Sequence, residues 1–126
     1  MKILLSIKPE YAEKIFSGEK KFEFRKIGFK NKLIQTVVVY ATMPIGKIIG
    51  EFNIKQIHKD RPKLIWKKTK RYSGIDETFF YEYYNGKEYA IAIEIDNPVL
   101  YEKPIDPKEK FENFVAPQSF KYLKDF

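Results

Sequence analysis

Glu23 and Arg25 lie with two lysines in the short segment KKFEFR, which begins at Lys20. Polar and apolar residues alternate there, which predicts a strand with both phenylalanines on one face and Glu23 and Arg25 on the other. A carboxylate beside an arginine can orient the guanidinium, which then presents its donors to an anion or to a nucleic-acid base. A solvated sheet surface with weak ion pairs would give the same pattern, so both interpretations stay open.

Lysine and glutamate chemistry is the catalytic chemistry that the sequence leaves open. A lysine in a cleft can have its pKa lowered enough to act as a base or nucleophile, which makes Lys20 and Lys21 the candidates if the protein is an enzyme. The chain has no cysteine, and His58 is its only histidine. No serine lies in a nucleophile motif, and no glycine-rich phosphate loop occurs. We therefore expect an exposed His58 and no metal or cofactor.

A predicted helix ends a few residues before this charged strand and leads the chain into it. Pro9 suits the first turn of a helix over Lys8–Ser17, and its apolar residues recur at helical spacing. Gly18 can adopt the left-handed conformation that ends the helix and reverses the chain. The preceding segment Met1–Ile7 is apolar and predicts a first strand.

Two more helices and four more strands are predicted downstream. The helices cover 62–70, which begins at Pro62, and 77–84, which Asp76 can cap. The strands span Thr36–Tyr40, Ile48–Ile57, Tyr89–Ile95 and Val99–Lys103. Gly50 inside a strand predicts a bulge or bend. Strands before, between and after about three short helices predict an α+β fold, and short strands with bend signals suit a small mixed β-barrel.

Three aromatic or basic segments have both a structural and a functional interpretation. The segment from Arg61 to Lys70 carries Trp66 among five basic residues. In the structural interpretation Trp66 packs on the barrel and the lysines are solvated. In the functional interpretation the helix forms a basic rim for phosphates. The stripe of Phe79, Phe80, Tyr83 and Tyr84 is typical of core, with stacking on bases as the alternative. The aromatic segment 111–126 is expected to pack back on the fold.

Length and charge limit the function classes. A chain of 126 residues is expected to form one domain, residues 1–126, with a substantial core. There are 24 Lys and Arg against 17 Asp and Glu, a formal net charge of +7, which favours a polyanionic partner such as nucleic acid. No apolar run is long enough to cross a bilayer, and the N-terminus lacks a signal-peptide pattern, so we expect no membrane partner and a cytoplasmic location.

Four stretches together resemble a known family. The first, from Ile3 to Lys26, has the pattern K-P-x-x-A-x-x-I-x-x-G-x-K-x-x-E-x-R, and the others are Tyr40–Ile54, Ser73–Ile95 and Ala116–Leu123. In this order they resemble the ASCH domain in its small stand-alone prokaryotic form. This family belongs to the PUA-like superfamily of small β-barrels associated with RNA. The resemblance therefore implies a small mixed β-barrel of the PUA-like type.

The resemblance also implies a ligand cleft between the first helix and the barrel. The residues that it implicates in binding RNA are Ser6, Lys8, Lys20, Glu23, Arg25, Thr42, Lys47, Gln118 and Ser119. Arginine, carboxylate and hydroxyl groups in a cleft suit the recognition of one splayed base, as in most sequence-selective RNA binding. The first interpretation is an RNA-binding protein that holds a single base or modified nucleotide in this cleft.

A small metal-independent hydrolase of the same fold is the alternative that the resemblance implies, with Lys20 as the catalytic residue. Some relatives are amidohydrolases on N4-acetylcytidine, and this chain is similar to them at Gly18, Lys20 and Arg25. It departs from them where their threonine aligns with Glu23, and their catalytic glutamate falls near Ser73, with no carboxylate before Asp76. Other relatives are ribonucleases. A third interpretation is an interaction module whose basic charge serves only solubility.

Overall fold

Six strands and four α-helices form the computed structural model, which describes every residue from 1 to 126. The strands are Lys2–Ile7 (β1), Phe22–Arg25 (β2), Thr36–Ala41 (β3), Lys47–Asp60 (β4), Ala90–Ile105 (β5) and Lys121–Leu123 (β6). The helices are Pro9–Ser17 (α1), Pro62–Thr69 (α2), Glu77–Tyr83 (α3) and Pro107–Lys110 (α4), and a 3-10 turn covers Lys70–Tyr72. The predicted α+β class is confirmed. The sequence did not predict the short helix α4.

All six strands join one sheet in the order β2-β5-β4-β3-β1-β6. Strands β1 and β3 run parallel, and every other neighbouring pair is antiparallel. The outermost strands β2 and β6 each pair with a single neighbour, so the sheet is not closed. Closure into a barrel is therefore not confirmed.

One long strand replaces the two that were predicted over 89–95 and 99–103. β5 runs without interruption from Ala90 to Ile105, although Asn97 has a positive φ of 48°. The prediction was wrong because Asn97 and Pro98 are turn-forming residues that the neighbouring strand β4 overrides. β4 pairs with β5 on both sides of this point, and shifts in register absorb the irregular residues.

The bulge predicted at Gly50 is confirmed. The register of β4 shifts at this residue against both of its neighbours, β3 and β5. A Cβ atom added to Gly50 would lie 2.5 Å from the carbonyl oxygen of Val99 and 2.6 Å from the Phe16 ring. Only glycine therefore allows α1 to pack this closely over the sheet.

Apolar side chains cover both faces of the central strands. Val37 and Val39 face α1, whereas Val38 faces the C-terminal segment, where Phe114 packs, and all three valines are fully buried. A continuous apolar run such as that of β3 is typical of a strand covered on both faces. The predicted packing of segment 111–126 against the fold is also confirmed, since Leu123 is buried beside Val38.

Helices α2 and α3 form a separate cluster beside β2 and β5. Trp66 packs against Phe80 with ring centroids 4.9 Å apart, and Phe80 packs against Phe24 of β2. The structural interpretation of Trp66 is confirmed, although its partner is α3. The five basic residues of segment 61–70 are exposed. None of the helices is both long and apolar enough to span a bilayer.

Asp76 caps α3, as the sequence predicts. Its carboxylate accepts a hydrogen bond of 2.8 Å from the backbone N–H of Phe79. We expect Asp76→Ala to lower the free energy of unfolding by about 1 kcal/mol, because one N–H at the start of the helix loses its acceptor. Urea denaturation measures this change. Asp76→Asn keeps an acceptor oxygen and should leave stability nearly unchanged, and an equal loss in both variants would contradict the capping role.

Candidate functional site

A pocket of about 210 Å³ lies where α1, β2 and α3 meet the end of β1. β1 and the start of α1 contribute three consecutive residues, and β2 contributes three more. The segment that leads into α3 and α3 itself close the opposite side. The lining residues are Ser6, Ile7, Lys8, Tyr11, Lys20, Glu23, Phe24, Arg25, Ile75, Phe79 and Tyr83.

Lys20 forms the deepest charged part of this pocket. Its side chain is only 2% exposed, and its ammonium donates a hydrogen bond of 2.5 Å to the carbonyl of Ser73. The same ammonium lies 4.8 Å from the centroid of the Phe24 ring and 5.5 Å from that of Tyr11, so two aromatic faces stabilise the cation. A Cβ atom on Gly74 would lie 2.8 Å from the lysine side chain, so this approach requires glycine.

Burial lowers the pKa of Lys20 from its ordinary value of 10.5 to about 8. The Glu23 carboxylate opposes this change and Lys14 adds to it, and both effects are smaller than that of burial. Lys20 therefore has a substantial neutral fraction just above neutral pH. A neutral amine can accept a proton, which is the chemistry that the sequence predicted for this residue.

Glu23 and Arg25, which also line the pocket, form an ion pair with each other. One guanidinium nitrogen lies 3.3 Å from the Glu23 carboxylate, and a second donates a hydrogen bond of 2.6 Å to the carbonyl of Ser119. The side chains of Glu23 and Arg25 are 9% and 15% exposed, so the alternative of a solvated sheet surface is wrong. The pair fixes the orientation of the guanidinium at the edge of the pocket.

Aromatic rings form the remaining walls. Phe79 and Tyr83 on α3 stack with their planes 10° apart and their centroids separated by 6.3 Å, and Tyr11 lies 5.9 Å from Phe79. The aromatic stripe of α3 therefore contributes two residues to the pocket and two to the core. Phe80 and Tyr84 are buried, and the Tyr84 hydroxyl lies 3.0 Å from the carbonyl of Arg25, which attaches α3 to β2.

The structure brings together five of the nine predicted site residues. Ser6, Lys8, Lys20, Glu23 and Arg25 all line the pocket, and the other four do not. The carbonyl of Pro117 accepts a hydrogen bond from Ser6, and the carbonyl of Ser119 accepts one from Arg25. The backbone of this segment therefore holds two of the lining side chains in place.

The remaining three predicted residues lie outside this pocket. Gln118 is exposed next to the supporting backbone. Thr42 begins the loop after β3, and its N–H donates to the carbonyl of Ile7. Lys47 forms a loose ion pair of 3.7 Å with Asp106. Their place in a binding site stays a prediction.

Sequence reasoning missed the residues that enclose the pocket. Tyr11 counted only as an apolar position of α1, and Ile75 and the Ser73 carbonyl carried no signal. Phe79 and Tyr83 had the signal of an aromatic stripe, which does not reveal which ring faces a cavity. His58 was also misplaced: its side chain is 11% exposed and lies 2.8 Å from the Glu94 carboxylate, outside this pocket.

Comparison with known proteins identifies similar sequences and structures. The model of the ASCH domain matches residues 5–99. An ASCH domain-containing ribonuclease of Zymomonas mobilis is 30% identical over 127 residues, covering 96% of this chain and 83% of that protein. A crystal structure of ASCH from Zymomonas mobilis superimposes with a TM-score of 0.88 and 30% identity, covering 98% of this chain and 87% of that one.

A longer protein also matches. The large ribosomal subunit protein uL22 of Ureaplasma parvum serovar 3 is 32% identical over 123 residues, which is 97% of this chain. The chain spans only 39% of the length of that protein.

Proposed function

This chain belongs to the ASCH domain family, and we propose that it binds single-stranded RNA and holds one base in the pocket between α1, β2 and α3. The observation that carries the proposal is the combination of aromatic walls with an oriented Glu23–Arg25 pair in one pocket. Proteins that read single-stranded RNA stack a splayed base on aromatic side chains and hydrogen-bond its edges.

Each part of the pocket has a role in this proposal. Phe79 and Tyr83 offer a stacked aromatic surface for the face of the base. Arg25 supplies N–H donors and Glu23 supplies acceptor oxygens for the base edge. The net charge of +7 supports an interaction with phosphates that weakens as salt rises.

Two aromatic residues on α3 provide a matched test. Phe79 lines the pocket and is 36% exposed, whereas Tyr81 is 37% exposed and lies outside it. We expect Phe79→Ala to weaken binding of single-stranded RNA about tenfold, because stacking on one aromatic ring contributes about 1–3 kcal/mol per base. Fluorescence anisotropy with labelled hexanucleotides of each base measures the affinity. Tyr81→Ala should bind as the parent does, and an equal loss in both variants would contradict the proposal.

We propose ribonuclease activity as a second candidate function. The similarity to a protein named as an ASCH domain-containing ribonuclease supports it, and so does the buried Lys20 beside Glu23 and Arg25. In such a reaction the RNA 2′-hydroxyl loses its proton to a base and attacks the adjacent phosphorus, the bond from phosphorus to the 5′-oxygen breaks, and the leaving 5′-oxygen takes a proton from water. Neutral Lys20 or the Glu23 carboxylate can take the first proton, and Arg25 can stabilise charge on the phosphate.

The pH dependence of RNA cleavage tests this second candidate. If neutral Lys20 is the base, the cleavage rate should rise with pH and level off above about 8, where Lys20 has lost its proton. Chromatography of the products over pH 6–9.5 measures the rate, and Lys20→Met should abolish it. Unchanged cleavage by Lys20→Met would contradict this role. Incubation with N4-acetylcytidine in the same assay tests the amidohydrolase alternative, which stays a prediction.

A further inference from the structure

We infer that a second groove, on the far side of Arg25, binds the neighbouring nucleotide of the same RNA strand, so that the ligand is an oligonucleotide and not a free nucleoside. The inference rests on the proposed function, because it extends the strand whose base occupies the pocket. Arg25 lines both the pocket and this groove. No other residue is shared between them.

The second groove is larger than the pocket, with a volume of about 460 Å³. It runs over β4 and β5 and is bounded by the segment that follows β2. The residues that line it are Leu5, Arg25, Ile27, Gly28, Phe29, Lys30, Lys32, Ile57, Lys59, Ile91, Ile93 and Phe120. Seven of these twelve residues are hydrophobic and four are basic, a combination suited to bases and phosphates together.

The charge of the groove fits a polyanion. Its polar side chains are Arg25, Lys30, Lys32 and Lys59, and its lining contains no carboxylate. None of the three lysines forms an ion pair, and all three are exposed. Their charges have no carboxylate partner and can interact with phosphates, in contrast to Lys2, which pairs with Glu51. The Lys59 ammonium also lies 5.3 Å from the centroid of the Tyr89 ring.

Apolar groups between these lysines provide a surface for a base. Ile27 and Ile57 are exposed at the groove, and Phe29 and Phe120 pack edge to face with their centroids 6.0 Å apart. Exposed isoleucines beside aromatic rings offer an apolar surface to a partner with a flat apolar face. A nucleotide base has such a face, whereas inorganic phosphate does not.

Arg25 connects the two sites. Its guanidinium has five N–H donors, of which three are directed to Glu23, Ser119 and Ser6. Two donors remain, one on Nε and one on Nη2. One of them can bond the edge of the base in the pocket, and the other can bond the phosphate that links this base to a base in the groove.

Competition against a labelled hexanucleotide tests both the length of RNA that the protein binds and the contribution of the lysines in the second groove. The probes are adenylate, cytidylate, guanylate and uridylate as 5′-monophosphates and as hexamers. The test variant is Lys30→Ala/Lys32→Ala, and the matched control is Lys103→Ala/Lys108→Ala, which removes two exposed lysines outside both sites. Circular dichroism verifies that both variants are folded.

We expect the parent to bind its preferred hexamer at least about tenfold more tightly than the monophosphate of the same base. The test variant should lose about tenfold in hexamer affinity and keep its affinity for the monophosphate. The slope of log affinity against log salt should also shrink in magnitude by about 1.4, since each phosphate contact to a single strand contributes about 0.7. The control should change neither value.

Three outcomes overturn the inference, and they differ in whether the proposed function survives. If the monophosphate binds as tightly as the hexamer, or the test variant behaves as its control, the second groove does not bind RNA. The proposed function then survives, provided that Phe79→Ala still weakens binding. If none of the hexamers binds the parent protein, the proposed function fails, and the inference fails with it.

Discussion

Replacing Arg25 with lysine is expected to weaken the binding of single-stranded RNA by about a hundredfold. The guanidinium lines both the pocket and the second groove, and its fork is fixed by Glu23 and by the carbonyl of Ser119. Lysine keeps the charge but is a point donor that cannot make two parallel hydrogen bonds. The loss of two hydrogen bonds to a charged group, at about 1.5 kcal/mol each, corresponds to this factor.

Lysine is a better test at this position than alanine. Glu23 is nearly buried, and Arg25→Ala would leave its carboxylate without a partner, at a cost of about 3–5 kcal/mol in the free energy of unfolding. Arg25→Ala should therefore lose RNA binding as well, although part of its effect would come from the fold. Arg25→Lys keeps a cation near Glu23 and separates the two effects.

Arg71→Lys is the matched control, because Arg71 is exposed and lines neither site. It should bind RNA as the parent does, measured by anisotropy with the preferred hexanucleotide. Urea denaturation of both variants measures whether the fold is intact. If Arg25→Lys and Arg71→Lys bind equally well, the guanidinium does not contact RNA and the assignment of the pocket is wrong.

The sequence predicted the elements that carry half of the pocket, and the resemblance to the ASCH family predicted their meeting. Pro9 and Gly18 indicated the ends of α1, and the alternation after Lys20 indicated β2. The meeting of the five site residues between Ser6 and Arg25 followed only from the resemblance, because three other strands separate β2 from β1 in the sheet. Helix ends and strand alternation are determined by nearby residues, which is why sequence alone predicts them.

The other half of the pocket depends on long-range packing. A helical stripe shows that Phe79 and Phe80 lie on α3, but the choice between core and cavity depends on which helix lies opposite. Phe80 packs between Trp66 and Phe24, whereas Phe79 faces Tyr11 of α1 across the pocket. Residues of four separate segments meet here, and no periodicity within one segment encodes their distance.

Long-range pairing also explains the wrong predictions at β5 and His58. Asn97 and Pro98 predict a turn locally, yet β4 pairs on both sides of them and keeps the strand continuous. His58 has exposed neighbours in sequence, but Ala92 lies opposite it on β5, and its ring pairs with Glu94. In both places the partner strand decides the outcome.

The burial of Lys20 predicts a dependence of stability on pH that few surface lysines would give. The pKa is about 8 in the folded protein and is expected near 10.5 in the unfolded chain. Between these values an unfolded chain binds more protons at Lys20 than the folded protein does, so the contribution of Lys20 to the free energy of unfolding should rise as pH increases from 8 to 10.5. The difference corresponds to roughly 3 kcal/mol. Below pH 8 the full cost of burying the charged ammonium is present.

Lys20→Met isolates this contribution, because methionine fills the same space without a charge. We expect the parent to gain roughly 3 kcal/mol relative to Lys20→Met between pH 8 and 10.5, measured by urea denaturation at closely spaced pH values. At pH 7 the variant should be no less stable than the parent. It loses one hydrogen bond to the carbonyl of Ser73, at a cost of about 1–3 kcal/mol, and it no longer buries a charge.

Lys21→Met is the matched control, because Lys21 is the next residue and its side chain is exposed. The Lys21→Met protein should show the same change of stability with pH as the parent, because it keeps the buried ammonium of Lys20. A constant difference between Lys20→Met and the parent would show that Lys20 does not titrate in the pocket. A buried charge that lowers the stability of the fold is expected where function requires it. If Lys20→Met is as stable as the parent but loses RNA binding or cleavage, Lys20 serves the function of the pocket.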